Sequence, residues 1–476
     1  MTTPIHSSGT DASFYFADSF ASVRYEDLSP AAIDIAKKSV IDTIAVSLAA
    51  TSLNPDATQL ALIADSVGCV NGCRILGFGG RAPAPLAAWV NGGLSHALDF
   101  DDIAYGAFAH PSAAVVPAMF AIAEHVGKVS GKEFITSLAL AQDMVVRLSE
   151  ALDWKAVAPL PWLPFPLVGT FAAAAACARL LKLDRERIQA AIAGALAYTT
   201  GTGELQHGGL RGLYDSWAAQ GGVLAALVAQ RRIKAPLQPL EGPRGFFQNY
   251  WHGAYDRDRL LSGLGQTFRG ERTGYKAWPS CAVTHPAVDA ALNVVRDHDV
   301  SAAAIETVTV KVSAAAWPQC NPLAEKRQPT TVMDAKFSIP YTVAVACLTR
   351  GVTLRDFTPE QIRDPQVLAL AQRVTPVVDP ALQGDRGVDP CIVEVRMKSG
   401  GVHASRTDIV YGHEDNPMTM QSVVEKFMNC TRYAVFPPTV QANRLFAQQV
   451  GALEEQSDVA SLLGLLEPPP RQGSTY

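Results

Sequence analysis

The sequence predicts a mainly α-helical protein with one large all-α helical domain and a smaller α+β domain. Three observations predict this fold class. Apolar residues recur at helical spacing through the first part of the chain, alternating apolar and polar residues appear after about residue 300, and helical spacing returns near the end. We therefore expect a discontinuous helical domain of residues 1–270 and 406–455, an α+β domain of residues 271–405, and a tail of residues 456–476.

Capping residues mark the starts of several helices in the first part. Ser29 can cap a helix whose first position is Pro30, and residues 130–133 have the pattern of a capping box. Asp184 is placed to cap another helix. The helices predicted from apolar spacing cover residues 33–48, 134–148, 167–181, 188–198 and 217–230.

The middle of the chain has the texture of a small mixed domain. Residues 307–312 alternate like a strand, and two further strands flank the glycine turn at residues 399–401, as in a β-hairpin. Proline-rich sequence from Leu466 onward favours a disordered tail. The hairpin strands are predicted at residues 391–397 and 402–410, and helices at 285–295, at 336–348 and from 358 onward.

Composition excludes several classes of function. With 476 residues, 48% hydrophobic residues, 18% charged residues and a net charge of -5, the chain has no basic stripe for nucleic acid. Its apolar runs are too short to span a bilayer, and its first residues lack the pattern of a signal peptide. Eight scattered cysteines fit reduced thiols in a cytoplasmic protein. Cys69 and Cys73 form a single close pair, so we expect no bound metal.

The segment from Asn91 to Asp102 concentrates groups that can titrate. His96, Asp99, Asp101 and Asp102 lie between two segments predicted as core helices, where charges are rarely buried without a partner or a purpose. His96 and Asp99 are three residues apart and would share a helix face. Aspartates also favour caps and turns, so a structural turn is the competing interpretation.

His110-Pro111-Ser112 predicts a second group of site residues. Pro111 favours the first turn of a helix, which would place His110 at a helix N-terminus. There the helix dipole would lower the imidazole pKa and attract a carboxylate, conditions that suit a general acid or base. A histidine that only caps its own helix is the alternative.

Residues 276–286 add a cation, a thiol and an imidazole at the boundary between the predicted domains. Lys276 can hold a substrate carboxylate as a point charge, and His285 opens a predicted helix. Cys281 is a weaker candidate nucleophile because the sequence assigns it no partner base. Clefts between domains are common ligand sites, so we expect these residues and His110 to meet in one.

Together these segments resemble the MmgE/PrpD family, which includes 2-methylcitrate dehydratase, cis-aconitate decarboxylase and iminodisuccinate epimerase. The resemblance covers roughly residues 15–450 and rests on four ordered motifs, at residues 93–102, 110–112, 276–286 and 337–341. It implies a large all-α domain, a smaller α+β lid domain, a homodimer, and catalysis without a metal or other cofactor.

Matched position by position, the family's active-site residues fall on Asp99, His110, Lys276 and Tyr341. Arg211 stands where the decarboxylases carry a lysine, and Cys281 where some members have histidine. Two departures, Ile103 in place of a usual threonine and Leu163 in place of a frequent histidine, make the expected pocket more apolar. The positions that the resemblance assigns to substrate binding are Arg211, Asp102, Ser112, Cys281, His285, Ile103 and Leu163.

The resemblance implies a lyase, a dehydratase or decarboxylase, that acts on a small carboxylic acid by general acid–base catalysis. Lys276 and Arg211 would hold carboxylates, His110 would move the proton, and Asp99 and Tyr341 would support them. An isomerase or epimerase on the same scaffold and a non-catalytic binder of small acids are the alternatives. The Asp99-Phe100-Asp101-Asp102 run also matches the DxDD pattern of terpene cyclases, whose pockets are usually richer in aromatic residues.

Overall fold

The computed structural model describes residues 10–69, 71–157, 161–199, 201–206, 208–384 and 387–468. They form two compact units: the first joins the chain up to Thr273 with the chain from Thr419 onward, and the second is Gly274–Met418. The first unit is helical and the second combines helices with a sheet. This confirms the predicted fold class. Within the described residues, no helix combines the length and apolar character needed to cross a membrane.

The first unit consists mainly of packed helices. Short strands β1 (Cys73–Arg74), β2 (Arg81–Ala82) and β3 (Asp102–Ile103) interrupt them, and β1 and β2 pair antiparallel. Its helices before the second unit are α1 Ala12–Ser22, α2 Pro30–Leu53, α3 Pro55–Val67, α4 Ala84–His96, α5 Val115–Val126, α6 Gly131–Ala151, α7 Pro164–Leu180, α8 Arg185–Ala195, α9 Asp215–Gln230, α10 Phe246–Trp251 and α11 Arg257–Leu261.

The predicted helix caps are present. Ser29 accepts a hydrogen bond from the Ala32 N–H with Pro30 at the first helical position, and Asp184 accepts from the Arg187 N–H. Ser130 caps α6 through the N–H of Glu133. The Glu133 carboxylate lies 2.9 Å from Nε of Arg179, so it ties α6 to α7. Helix α7 packs against both α6 and α9 at the centre of the unit.

The second unit contains helices α12 His285–Asp297, α13 Leu323–Arg327, α14 Val332–Lys336, α15 Ile339–Thr349 and α16 Pro365–Ala371. Its strands are β4 Gly274–Tyr275, β5 Ile305–Val312, β6 Val374–Val378, β7 Cys391–Met397 and β8 Val402–Thr407. Four of them form a sheet in the order β6-β5-β7-β8. Strand β6 runs parallel to β5, and β7 runs antiparallel to both β5 and β8, so the predicted hairpin is present. Helices α12 and α15 pack on this sheet.

The chain returns to the first unit as α17 Met420–Cys430, α18 Val440–Gly451 and α19 Ala460–Gly464. Helix α17 packs against α2 through a buried ion pair between Lys426 and Asp42, whose Nζ and Oδ1 atoms lie 2.7 Å apart. The same Nζ donates to the carbonyl oxygen of Phe100 at 2.5 Å and lies 3.8 Å from the centre of its ring. The returning segment therefore holds the loop that carries the aspartates of the 91–102 motif.

Three sequence-based boundaries differ from the structure. The second unit extends past residue 405 to Met418, because the Gly412 carbonyl accepts from the Tyr275 N–H and Asp289 accepts from the Tyr411 N–H. The helix predicted at 336–348 begins at Ile339, because Ser338 caps α15, and Lys336 is instead the last residue of α14. The tail prediction is wrong for residues up to 468: α19 is ordered, and Glu467 pairs with Arg74 and Arg81. Residues 469–476 lie outside the described residues.

We expect Lys426→Met to lower the free energy of unfolding by about 3–5 kcal/mol, because it leaves the buried Asp42 carboxylate without its cation. The double variant Asp42→Asn/Lys426→Met removes both charges and should lose clearly less than the single variant. Urea unfolding followed by circular dichroism measures both. Lys132→Met, at a lysine half-exposed and paired with the exposed Glu26, is the control and should change stability by less than about 1 kcal/mol. Equal losses in the single and double variants would contradict the role of the pair.

Candidate functional site

The end of helix α4 creates the site. The helix ends at His96, and Asp99 then adopts a left-handed conformation with φ of 51°, which aspartate tolerates better than most residues. The Asp99 N–H donates to the carbonyl oxygen of His96 at 2.9 Å and closes the turn. The chain reverses here, so the aspartates that follow face back toward the end of α4.

The buried carboxylate of Asp101 lies at the centre of the site. Its Oδ2 is 2.9 Å from Nδ1 of His96 and 3.0 Å from Nδ1 of His110. The Nδ1 atom of His110 is also 2.7 Å from the carbonyl oxygen of Asp102. Carboxylate and carbonyl oxygens only accept, so Nδ1 of His110 must carry a hydrogen. In the neutral imidazole the basic nitrogen is then Nε2.

The charges of His96 and Asp101 are set by their contact with each other, which outweighs the effect of burial. Burial alone would lower the pKa of His96, but the charge and hydrogen bond of Asp101, with the nearby Asp215 and Asp99, raise it to about 9. Burial would raise the pKa of Asp101, but the two imidazoles hold it well below its ordinary value. At neutral pH His96 is therefore an imidazolium and Asp101 a carboxylate.

Tyr214 completes the hydrogen bonding of His96. Its hydroxyl lies 2.9 Å from Nε2 of His96, which as an imidazolium donates to the phenol oxygen. Burial, with the nearby Asp215, Asp99 and Asp101, raises the pKa of Tyr214 well above its ordinary value, so it stays a phenol. Asp215 is the first residue of α9, and burial raises its pKa to about 7.

Two glycines in α4 bring Tyr214 to His96. A methyl group added at Gly92 would lie 2.7 Å from the carbonyl oxygen of Asp215 and 2.8 Å from Cβ of Ala219. A methyl group added at Gly93 would likewise collide with the hydroxyl oxygen of Ser216. Only glycine permits α4 and α9 to approach this closely. The Asn91-Gly92-Gly93 start of the motif thus has a packing role that positions the rings.

Asp102 supports the turn that follows His110. It is fully buried, and burial raises its pKa to about 8, so it is mostly protonated at neutral pH. Its Oδ1 accepts from the Ser112 N–H at 3.2 Å. Gln142 donates to the hydroxyl oxygens of Ser112 and Ser39, at 3.0 and 2.8 Å. Asp102 and Ser112 therefore hold the loop that carries His110.

The predicted helix N-terminus at His110 is wrong. Helix α5 begins at Val115, and a turn over residues 111–114 separates it from His110. The dipole of a helix acts mainly within its first turn, so the orienting charge at His110 is that of Asp101. The ring of His110 instead meets Phe165, with ring centres 5.4 Å apart at an angle of 84°.

Other predicted site residues of the first unit surround this cluster. Arg211 is half-buried, and its positive charge acts to lower the pKa of Tyr214. Ile103 is buried in β3, directly after Asp102. Leu163 is buried at the start of α7, where its N–H donates to the carbonyl oxygen of Gly201 at 2.5 Å.

The carboxylate of Asp99, together with His96 and His110, forms a set of potential metal ligands. One ligand atom from each residue lies within 4.8 Å of the others. Both nitrogens of His96 already contact Asp101 and Tyr214, so an ion at His96 would have to displace one of these contacts. A second set in the described residues is His413, Glu414 and Asp415. The sequence-based expectation of a metal-free site stays a prediction.

The other predicted residues belong to the second unit. Lys276 is buried directly after β4, and His285, also buried, starts α12 with Nε2 donating to the Ser280 carbonyl at 3.2 Å. The Cys281 N–H donates to the carbonyl oxygen of Lys336 at 3.1 Å. Tyr341 is buried in α15, and its hydroxyl donates to the Asp356 carbonyl at 2.6 Å. That these residues and His110 serve one site stays a prediction.

Comparison with known families covers both parts of the chain. The family model of the MmgE/PrpD N-terminal domain matches residues 15–257, and that of the MmgE/PrpD C-terminal domain matches residues 278–451. The chain belongs to the MmgE/PrpD family. The resemblance based on four motifs is thereby confirmed.

Several named relatives are similar to the chain over most of its length. It is 26% identical to the cis-aconitate decarboxylase of Homo sapiens over 82% of this chain and 81% of that protein. It is 24% identical to the cis-aconitate decarboxylase-like protein oryM of Aspergillus oryzae, over 93% and 95%. The 2-methylcitrate dehydratase of Salmonella typhimurium is 26% identical, over 76% and 77%.

Sequence reasoning located the motif but missed four of its partners. The sequence marks His96 and Asp101 only as titratable groups and assigns site roles to Asp99 and Asp102 instead. His96 and Asp101 are five residues apart, whereas residues that share a helix face are three or four apart, so their spacing does not predict the pair. Tyr214 and Asp215 carry no motif, and only the glycine pair that admits α9 hints at a close neighbour.

The free energy of unfolding should depend on pH in a way that reflects the raised pKa of His96. The folded state binds this proton more tightly than the unfolded chain, because the pKa rises from 6.5 to about 9. The resulting stabilisation is fully present below about pH 6.5 and is lost as the pH rises through about 9. We expect the free energy of unfolding of His96→Gln to be lower at pH 6 and to fall less between pH 6.5 and 9.

Urea titrations at several pH values measure this difference. Asp102, whose pKa is also raised, gives both proteins a shared decline up to about pH 8, so the difference between them isolates His96. His125→Gln, at an exposed histidine near the end of α5, is the control and should keep the wild-type slope. Identical slopes for wild type and His96→Gln would contradict the imidazolium assignment.

We expect Gly92→Ala to lower the free energy of unfolding by about 1–3 kcal/mol, because the added methyl group meets the Asp215 backbone at 2.7 Å. Gly451→Ala is the matched control: nothing lies within 4 Å of its added methyl group, and its effect should stay within about 0.5 kcal/mol. Denaturant midpoints measure both. A Gly92→Ala midpoint equal to that of the control would rule out the close approach of α4 and α9.

Proposed function

We propose that this protein is a lyase that removes water or carbon dioxide from a small carboxylic acid, with Nε2 of His110 as the group that transfers the proton. The names of its relatives support the reaction class, since they are decarboxylases and dehydratases of such acids. The observation that carries the proposal is the contact of Nδ1 of His110 with Asp101 and with the Asp102 carbonyl.

That contact gives His110 the form that a general base needs. Because Nδ1 holds its hydrogen toward two acceptors, the ring keeps one orientation and one tautomer, and Nε2 offers the lone pair. The charge of Asp101 stabilises the imidazolium that forms when Nε2 takes a proton. The imidazolium of His96 offsets part of the Asp101 charge.

In a dehydration, Nε2 would take the proton from the carbon next to a carboxylate. The C–H electron pair forms the double bond as the C–O bond of the neighbouring hydroxyl breaks, and the leaving hydroxide takes the proton back from Nε2 of His110 to form water. In a decarboxylation, the bond to the carboxylate breaks, its electron pair stays on the carbon, and protonated His110 supplies the proton that replaces carbon dioxide. Both routes need a stabilised negative charge next to a carboxylate.

The carboxylates of the substrate would bind to two cationic residues at positions that the family resemblance marks. Arg211 of the first unit and Lys276 of the second are assigned as carboxylate-binding residues. Asp99 balances charge beside His96 and His110. The Tyr341 hydroxyl donates a hydrogen bond to the Asp356 carbonyl. We therefore assign Tyr341 the role of positioning helix α15 until a bound substrate replaces that hydrogen bond. The homodimer and the metal-free reaction that the resemblance implies stay part of the proposal.

We expect His110→Gln to lower kcat/KM by about 10²–10⁴, because it removes the proton-transferring nitrogen. Asp101→Asn should lower kcat with a smaller change in KM, because the amide no longer fixes the tautomer. Steady-state kinetics over pH 5–9 measure both, and the exposed His125→Gln is the control for loss of a histidine. Turnover of folded His110→Gln within about threefold of wild type would rule out this role.

The reaction class needs a separate experiment. The purified protein is incubated with citrate-like, malate-like and aconitate-like acids in heavy water, and the products are resolved by mass. Loss of water or of carbon dioxide supports the proposal. Uptake of deuterium without either loss would favour an isomerase or epimerase, and thermal shifts without any change of mass would favour a binding protein; each of these outcomes contradicts the lyase assignment.

A further inference from the structure

We propose that Phe165 forms an apolar subsite beside His110, and that the substrate is a carboxylic acid whose reacting carbon carries an uncharged alkyl group at that position. This inference rests on the proposed function of His110. Phe165 lies against three polar rings of the first unit: its ring centre is 5.4 Å from that of His110, 5.9 Å from that of Tyr214 and 6.4 Å from that of His96. His96 and Tyr214 are buried, whereas Phe165 is only half-buried. A partly exposed aromatic side chain therefore lies directly beside the base.

The helix that carries Phe165 is unsuited to bind a carboxylate at its start. Helix N-termini usually attract anions because their first four N–H groups have no partner within the helix. At the start of α7 the N–H of Leu163 is taken by the Gly201 carbonyl, and the prolines at 164 and 166 have no N–H. Of the four N–H groups that a helix start usually offers, only that of Phe165 remains. A charged substituent placed here would gain little from the helix and would lose its water.

The loop that precedes His110 in the chain is apolar as well. Ile103, buried in β3, follows the residue whose carbonyl holds His110. Phe108 lies two residues before His110 in a hairpin closed by the Ala104 N–H and the Ala109 carbonyl at 2.9 Å. It is 55% exposed and has a φ of 47°, a rare conformation for a bulky residue, so the fold keeps an aromatic ring in solvent here. Neither side chain carries a group that could bind a second or third carboxylate.

Two acids of equal shape test the subsite: 3-isobutylmalate and 3-carboxymethylmalate, each also supplied as the unsaturated acid left after loss of water. Calorimetry measures Kd at pH 7 for the wild-type protein, and mass-resolved kinetics measure kcat/KM. We expect the isobutyl compounds to be preferred at least about tenfold in Kd and, where they react, in kcat/KM. Equal values or a preference for the carboxymethyl compounds would overturn the inference.

Variants of Phe165 assign the preference to this side chain. Phe165→Leu keeps an apolar surface and should keep the preference, whereas Phe165→Lys should reduce it at least about tenfold by favouring the carboxymethyl compounds. Phe14→Leu, at a half-buried phenylalanine in α1, is the control and should match wild type. Circular dichroism checks that each variant is folded. A preference that Phe165→Lys leaves unchanged would also overturn the inference.

The two proposals fail separately. If the protein prefers the isobutyl compounds in Kd but releases neither water nor carbon dioxide from any of the four, the subsite stands and the lyase assignment is wrong. If it turns them over without preferring isobutyl, the lyase assignment stands and the subsite is wrong. If it neither binds nor converts any of them, both are wrong.

Discussion

One buried carboxylate, that of Asp101, determines the arrangement of the site. A charge in the interior of a helical unit needs partners, and two imidazoles supply them, at 2.9 and 3.0 Å. Because His96 becomes an imidazolium, the buried charges of His96 and Asp101 cancel. The left-handed turn at Asp99, the two glycines of α4 and the Lys426 contact to Phe100 all keep Asp101 where both rings reach it.

The sequence was sufficient for much of the helical architecture because local rules decide it. Ser29, Ser130 and Asp184 each cap the helix that their position predicted, and the alternating strands form the expected hairpin. The rules failed where tertiary contacts decide a boundary. The chain between residues 405 and 418 has weak secondary structure, yet backbone hydrogen bonds such as that between Gly412 and Tyr275 tie it to the second unit.

For the site, the sequence identified the correct segments but not the correct pairs. Spacing along a helix favoured His96 with Asp99, but α4 ends at His96 and the pairing passes to Asp101. Pro111 favoured a helix start, but the turn over residues 111–114 precedes that helix. Tyr214 reaches the cluster only because α9 packs on glycines. The directions of side chains after a left-handed residue, and the distance between two packed helices, depend on the three-dimensional structure. Residue spacing in the sequence predicts neither.

The discontinuous first unit has a consequence for biosynthesis. Asp42 and Phe100 leave the ribosome long before Lys426, which follows Phe100 by 326 residues. The whole α+β unit is translated in that interval and, because its four-stranded sheet is built from its own strands β5 to β8, it can fold first. Until Lys426 is made, the helices of the first 270 or so residues lack the cation that pairs with the buried Asp42 carboxylate. We therefore expect nascent chains halted before α17 to be chaperone-dependent and protease-sensitive in their first 270 or so residues, while residues 274–418 already resist digestion.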